Sequence, residues 1–151
     1  MLRQLSAVAA SAAACITLLG SGCSTPQPIV RNYLAAEPTR DAKLGNAKLK
    51  LFLDEKLGDE NIPCSMLYVE LPHDETMALR RLESAETILV QSGSGILTVN
   101  GRKIPVGPGS AVFIPAGATQ KLFNNSSETM KYISVIVPPF RDDECEFIDQ
   151  D

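Results

Sequence analysis

The stretch Gly109–Asn124, GSAVFIPAGATQKLFN, sets the tightest limit on what this chain can fold into. It holds a four-residue apolar run, Ala111–Ile114, closed on one side by Pro108-Gly109 and on the other by Pro115-Ala116-Gly117. Four residues are too few for a stable helix and enough for a short buried strand. Pro115 has no N–H to donate and ends the pairing. Gly109 and Gly117 supply the backbone freedom that tight entry and exit turns need. A second run, Lys121–Phe123, stops at Asn124-Asn125. Chain that is turned this often builds small strands.

The rest of the sequence has the same grain. Lys48–Leu53 begins with strict alternation, and Ser65–Leu71 is β-rich. Pro72-His73-Asp74-Glu75 reads as a turn before a candidate strand, Thr76–Leu82. Thr87–Gln91 is a strand, and Ser92-Gly93-Ser94-Gly95 turns it into Ile96–Val99. Asn100-Gly101 is the strongest hairpin signal present, and Arg102–Val106 returns from it. Lys131–Val137 is the last strand, stopped by Pro138-Pro139. Strands of four to seven residues with Gly, Pro and Asn between them predict an all-β barrel or sandwich. At 151 residues this is one domain.

Two terminal segments stand apart. Residues 1–22 combine Arg3, an Ala-rich apolar stretch Leu5–Leu19, and small residues up to Cys23, which is the architecture of an export signal. Small residues directly before a cysteine resemble the bacterial lipobox. That resemblance implies cleavage before Cys23, a diacylglycerol on its thiol and, with Ser24 following, placement on the periplasmic face of the outer membrane. Gly20 stands where the pattern prefers Leu, with Leu19 one residue further back. An ordinary cleaved signal is the alternative. Residues 23–47 carry three prolines and scattered charge and read as a disordered tether. Residues 141–151 hold six acids in the ten positions from Asp142 and read as a solvated acidic tail.

Removing residues 1–22 takes away Arg3 alone, leaving 13 of the 14 Lys+Arg against 18 Asp+Glu, a net charge of −5. Such a chain is a poor partner for nucleic acid. With Cys15 and Cys23 in the export signal, Cys64 and Cys145 remain. Two thiols in an oxidising compartment suit one disulfide, worth about 4 kcal/mol for a loop of roughly 80 residues. Two separate thiols are the equal alternative.

The pattern Gly109, Pro115, Gly117, Asn124 resembles the second motif of the cupin superfamily, which runs Gly, five residues, Pro, one, Gly, two, His, three, Asn. The first cupin motif runs Gly, five residues, His-X-His, three or four, Glu, six, Gly, and Glu86 and Gly93 keep its closing spacing. The resemblance spans residues 48–140 and implies a single jelly-roll-like cupin β-barrel. It also implies a divalent transition metal held by three histidines and a glutamate, which this chain does not supply. Gln120 stands at the second motif's histidine. The first motif's histidines become Arg80 and Leu82, or Leu79 and Arg81, depending on spacing. His73 is the one histidine in the protein, and it falls in a turn. Of the implied ligand positions only Glu86 is kept, with Gln120 as a weak amide donor.

A carboxylate inside a barrel needs a partner. Arg80 or Arg81 can supply a guanidinium to Glu86, and Gln120 can complete a polar cluster. The alternative is that both arginines face solvent. Ligand-pocket candidates are therefore Glu86, Gln120, Arg80 and Arg81, with no catalytic residue and no cofactor. The expected role is a non-catalytic small-ligand-binding or envelope-assembly component. Its partners would be the membrane, through the lipid anchor, a small polar or anionic ligand, and a second copy of the chain. The runner-up is a metal-dependent cupin enzyme, isomerase or dioxygenase in type, holding a single divalent transition metal with unusual ligands and acting on a sugar or small acid.

Overall fold

The computed structural model describes residues 27–149 apart from residue 60. The export signal, Cys23 and the last two residues of the acidic tail lie outside the described residues. Ten strands follow one another: β1 (Lys48–Leu53), β2 (Ser65–Leu71), β3 (Thr76–Leu82), β4 (Ala85–Ser92), β5 (Gly95–Val99), β6 (Arg102–Val106), β7 (Ala111–Ile114), β8 (Thr119–Phe123), β9 (Met130–Val137) and β10 (Cys145–Phe147). They form two five-stranded antiparallel sheets, ordered β1-β2-β9-β4-β7 and β10-β3-β8-β5-β6. The strands alternate between inward apolar residues and outward mixed ones. Ile88 and Val90 of β4, Leu97 of β5, Ile114 of β7 and Leu122 of β8 meet between the sheets, with Leu71, Met130 and Tyr132. This is the all-β architecture expected from the strand spacing, in the jelly-roll-like barrel form that the motif resemblance implies.

The turn residues do the work their positions demand. Asn100 and Gly101 both take positive φ, 47° and 79°, the geometry of a two-residue type I′ hairpin between β5 and β6. Gly93 is fixed by space as well as by φ: a Cβ there would lie 2.6 Å from Met130 Cα. Asn124 is fully buried, and its amide nitrogen donates to the carbonyls of Leu71, Pro72 and Glu128 at 2.7–2.9 Å. It ties the end of β8 to the exit of β2, satisfying carbonyls that the turn leaves without ladder partners.

Both terminal segments are more engaged than their composition predicts. Tyr33 lies against Phe52 and Tyr68, with ring centroids 5.6 and 4.9 Å away. Arg31 pairs with Asp59 at 2.6 Å, Thr39 bridges to Leu49, and Ala47 is fully buried. Residues 31–47 thus lie along the barrel, and Lys48 marks the first strand rather than the first contact.

At the other end the solvated tail needs correcting. Cys145–Phe147 pairs with β3 in the register Cys145↔Leu82, Glu146↔Arg81 and Phe147↔Arg80. Without it β3 would be an open sheet edge. Three residues among acids gave too short a period to recognise, because the strand is specified by the edge it covers. The structure also takes the separate-thiol alternative. Cys64 and Cys145 are both free thiols; Cys64 leads into β2 of one sheet, while Cys145 is held on β3 of the other.

Candidate functional site

The first motif resolves onto the backbone through Asp74. It stands at the place of the leading glycine and takes the same left-handed region, φ 59°. The three-residue spacing that runs back to it makes Arg80 and Leu82 the motif positions, and a register shift in β3 between Met77 and Arg80 turns both inward. Both are buried, whereas Arg81 points outward and pairs with Glu146 at 2.9 Å across the β3–β10 ladder. Arg81 is therefore not part of the interior, since alternation on one strand puts neighbours on opposite faces.

Arg80 and Gln120 face each other in the β3–β8 register, and both reach across the barrel to Glu86 on β4. Arg80 Nη2 donates to Glu86 Oε2 at 3.1 Å, and Gln120 Nε2 donates to the same oxygen at 2.7 Å. Ser134 Oγ of β9 donates to Glu86 Oε1 at 2.6 Å. All four residues are buried, Glu86 at 2% exposure. Two donors come from one sheet, and the acceptor and third donor come from the other, so the cluster is a polar tie through the core. Burial works to lower the pKa of Arg80, but the Glu86 carboxylate, with Tyr132 behind it, more than offsets this and holds the guanidinium above its ordinary value. Gln120 Oε1 is buried with no partner, an expense of about 1–3 kcal/mol.

Tyr132 and Ser134 are the residues that motif matching missed. The signal was present in KYISVIV, where alternation places Tyr132, Ser134 and Ile136 on the inner face. A serine in that row marks a polar spot in the core. Tyr132 donates its hydroxyl to Met77 Sδ at 2.6 Å. Burial raises its pKa; the nearby Arg80 works against that rise and Glu86 adds to it.

Beside the cluster lies a cavity of about 620 Å³ between the sheets, within the range of small-molecule sites. Arg80, Glu86, Tyr132 and Ser134 form its polar end. Its walls include Leu49, Leu51, Leu67, Val69, Leu82 and Ile136. Exposed residues of 39–43, with Lys56, Phe140, Asp142 and Phe147, surround the opening. Lys43 Nζ sits 5.3 Å from the Phe147 ring and Lys56 Nζ 5.0 Å from that of Phe140, while Lys56 also pairs with Asp142 at 2.9 Å. Cys145 lines the same space, with its thiol pKa raised, chiefly by burial. Gln120 braces Glu86 from outside the cavity wall.

The donor set does not fit the divalent transition metal that the motif resemblance implies. A cation placed on Glu86 Oε2 would sit against a guanidinium 3.1 Å away and an amide N–H. Among the described residues no three His, Cys, Asp or Glu side chains converge. His73 is exposed at the far turn, where its Nδ1–H donates to the Ser126 carbonyl.

Known proteins share this architecture. Residues 67–136 match the family model described as Cupin domain. The fold is similar to that of the polyketide cyclase RemF from Streptomyces resistomycificus, with 18% identity and a TM-score of 0.68 over 84% of this chain and 88% of that one. A predicted oxalate decarboxylase from Thermotoga maritima aligns at 17% identity and a TM-score of 0.64, over 73% of this chain and 99% of that one. Pac13, a nucleoside dehydratase of Streptomyces, aligns at 16% and 0.64, over 81% and 92%. At such identities the likeness is one of fold.

Proposed function

This chain carries a cupin domain, and on that footing we propose that it is an exported, non-catalytic barrel that binds a small ligand at the cell envelope. The observation that carries the reading is the Arg80–Glu86 contact beside a cavity of about 620 Å³. An organic cation takes the place of the metal's charge, so the interior keeps its electrostatic balance without a Lewis acid. What remains is a preformed space with a polar end, suited to holding a molecule. Among the described residues nothing near Glu86 forms a nucleophile–base pair, and its oxygens are occupied by three donors. The runner-up, a metal-dependent isomerase or dioxygenase, requires Glu86 to exchange Arg80 for a metal ion.

Export and anchoring rest on the sequence: small residues lead into Cys23, and residues 24–30 offer a short reach before Arg31 meets Asp59. The lipid at Cys23 would hold the barrel at the periplasmic face of the outer membrane. A homodimer is supported by the outer face of the first sheet. There Phe113, Leu89 and Val137 are 67%, 41% and 49% exposed, beside Ile133 and Val135. An apolar patch in the middle of that face fits a second copy better than it fits water.

Native mass spectrometry of the full-length protein extracted from envelopes in detergent tests the binding reading. The expected spectrum shows the acylated chain with a small noncovalent adduct that is lost on denaturation. Bare protein in that spectrum, together with no thermal shift across a small-molecule panel, would overturn it.

A further inference from the structure

The donors and charges inside the cavity select among ligand classes, and this inference rests on the reading of the barrel as a binding site. Arg80 engages the protein through Nη2, leaving N–H groups of its fork toward the cavity that it lines. Glu86 already accepts from Arg80, Gln120 and Ser134, so little acceptor capacity is left. Tyr132 spends its hydroxyl proton on Met77. Arg80 is therefore the charged donor of the polar end, and Tyr132 Oη and Ser134 Oγ, their protons already given, keep lone pairs that accept.

Charge narrows the choice further. Arg80 and Glu86 cancel each other. The other buried charge on the lining is Asp54, whose oxygens accept from Lys56 N and Ser65 Oγ. At the opening, Arg40, Lys43 and Lys56 face Asp41 and Asp142. A carboxylate brought beside Glu86 would meet a site that is neutral or already negative, at a large desolvation cost. A sugar would lay several hydroxyls against Leu49, Leu51, Leu67 and Val69, which offer them no hydrogen bonds. The geometry points to a neutral, apolar-bodied ligand with one polar oxygen, of the kind a ketone carries, that accepts from Arg80. That is narrower than the polar or anionic ligand expected from the sequence.

The two free thiols supply an internal gauge. Cys145 lines the cavity and Cys64 does not, and both are half-buried. Alkylation of each in the full-length protein is followed by peptide mapping, with nonan-2-one, nonanoate or glucose added at pH 7. Nonan-2-one should slow Cys145 roughly tenfold at ten times its Kd, since only the empty cavity reacts, and leave Cys64 unchanged. Nonanoate and glucose should do neither. Protection by nonanoate or glucose equal to or better than by the ketone overturns the ligand class and leaves the binding reading standing. Protection by none of the three counts against the binding reading itself. The variant Arg80→Met/Glu86→Leu/Ser134→Ala keeps the space and removes the Arg80 donors together with the Ser134 hydroxyl that losing Glu86 would free. Ketone protection should weaken there, and undiminished protection would show that the carbonyl is not held by Arg80.

Discussion

Arg80 Nη2 lies 3.1 Å from Glu86 Oε2, and the contact joins the two sheets of the barrel through its core. Both side chains are buried, so neither charge has water to fall back on. A pair of this kind is costly to break and cheap to replace as a unit.

Stability measurements on single and double variants follow from that asymmetry. Glu86→Leu alone should lose about 3–5 kcal/mol, because it strands the guanidinium. Arg80→Met/Glu86→Leu should be no worse than the single variant and recover most of the loss. Denaturant unfolding of the wild type, both single variants and the double variant checks this. Additive losses would mean that the two residues do not act as a pair.

Alkaline pH should act through Tyr132. Its folded-state pKa is raised, mainly by burial, so the neutral phenol is favoured in the folded chain. The associated stability is fully present below the unfolded tyrosine value of about 10, and it declines as pH rises above that toward the folded value. Between pH 9 and 11.5, Tyr132→Phe should therefore show a shallower fall in unfolding midpoint than the wild type. Parallel curves would contradict the assignment.

The C-terminal strand is held by its ladder to β3 and by half-buried Phe147, over which Lys43 sits. Arg81–Glu146 is an exposed pair worth at most about 1 kcal/mol. Truncation after Arg141 should leave a folded barrel but speed amide exchange along the uncovered edge of β3 and alkylate Arg80's side of the cavity faster, read with a cysteine placed at Leu82. Unchanged exchange in β3 would show that β10 does not cover that edge in solution.

Self-association is checked by light scattering. Phe113→Lys places a charge in the middle of the exposed apolar face and should convert a dimer to a monomer without lowering the protomer's unfolding free energy by more than about 0.5 kcal/mol, as expected of a surface change. A monomeric wild type would remove the interface.

Much of the fold is legible in the sequence because its signals are local. Gly109, Asn100-Gly101 and Pro115 each constrain their own backbone, and the strands between them fall where those constraints leave room. Glu86 and Gln120 are legible by their place in the motifs. Which arginine joins them is not, since the spacing allows either, and the choice is made by the register shift in β3 between Met77 and Arg80. Ser134 was readable from alternation but matches no motif. β10 and the packing of Arg31 on Asp59 depend on partners 65 and 28 positions away, and no local pattern encodes such contacts.

Metal analysis of the purified full-length protein, expressed with iron, manganese, nickel and zinc supplied, tests the central claim most directly. If a guanidinium has taken the metal's place at Glu86, only traces of each should be found, unchanged in Glu86→Ala. A near-stoichiometric metal that disappears in Glu86→Ala would contradict the account and restore the enzyme reading.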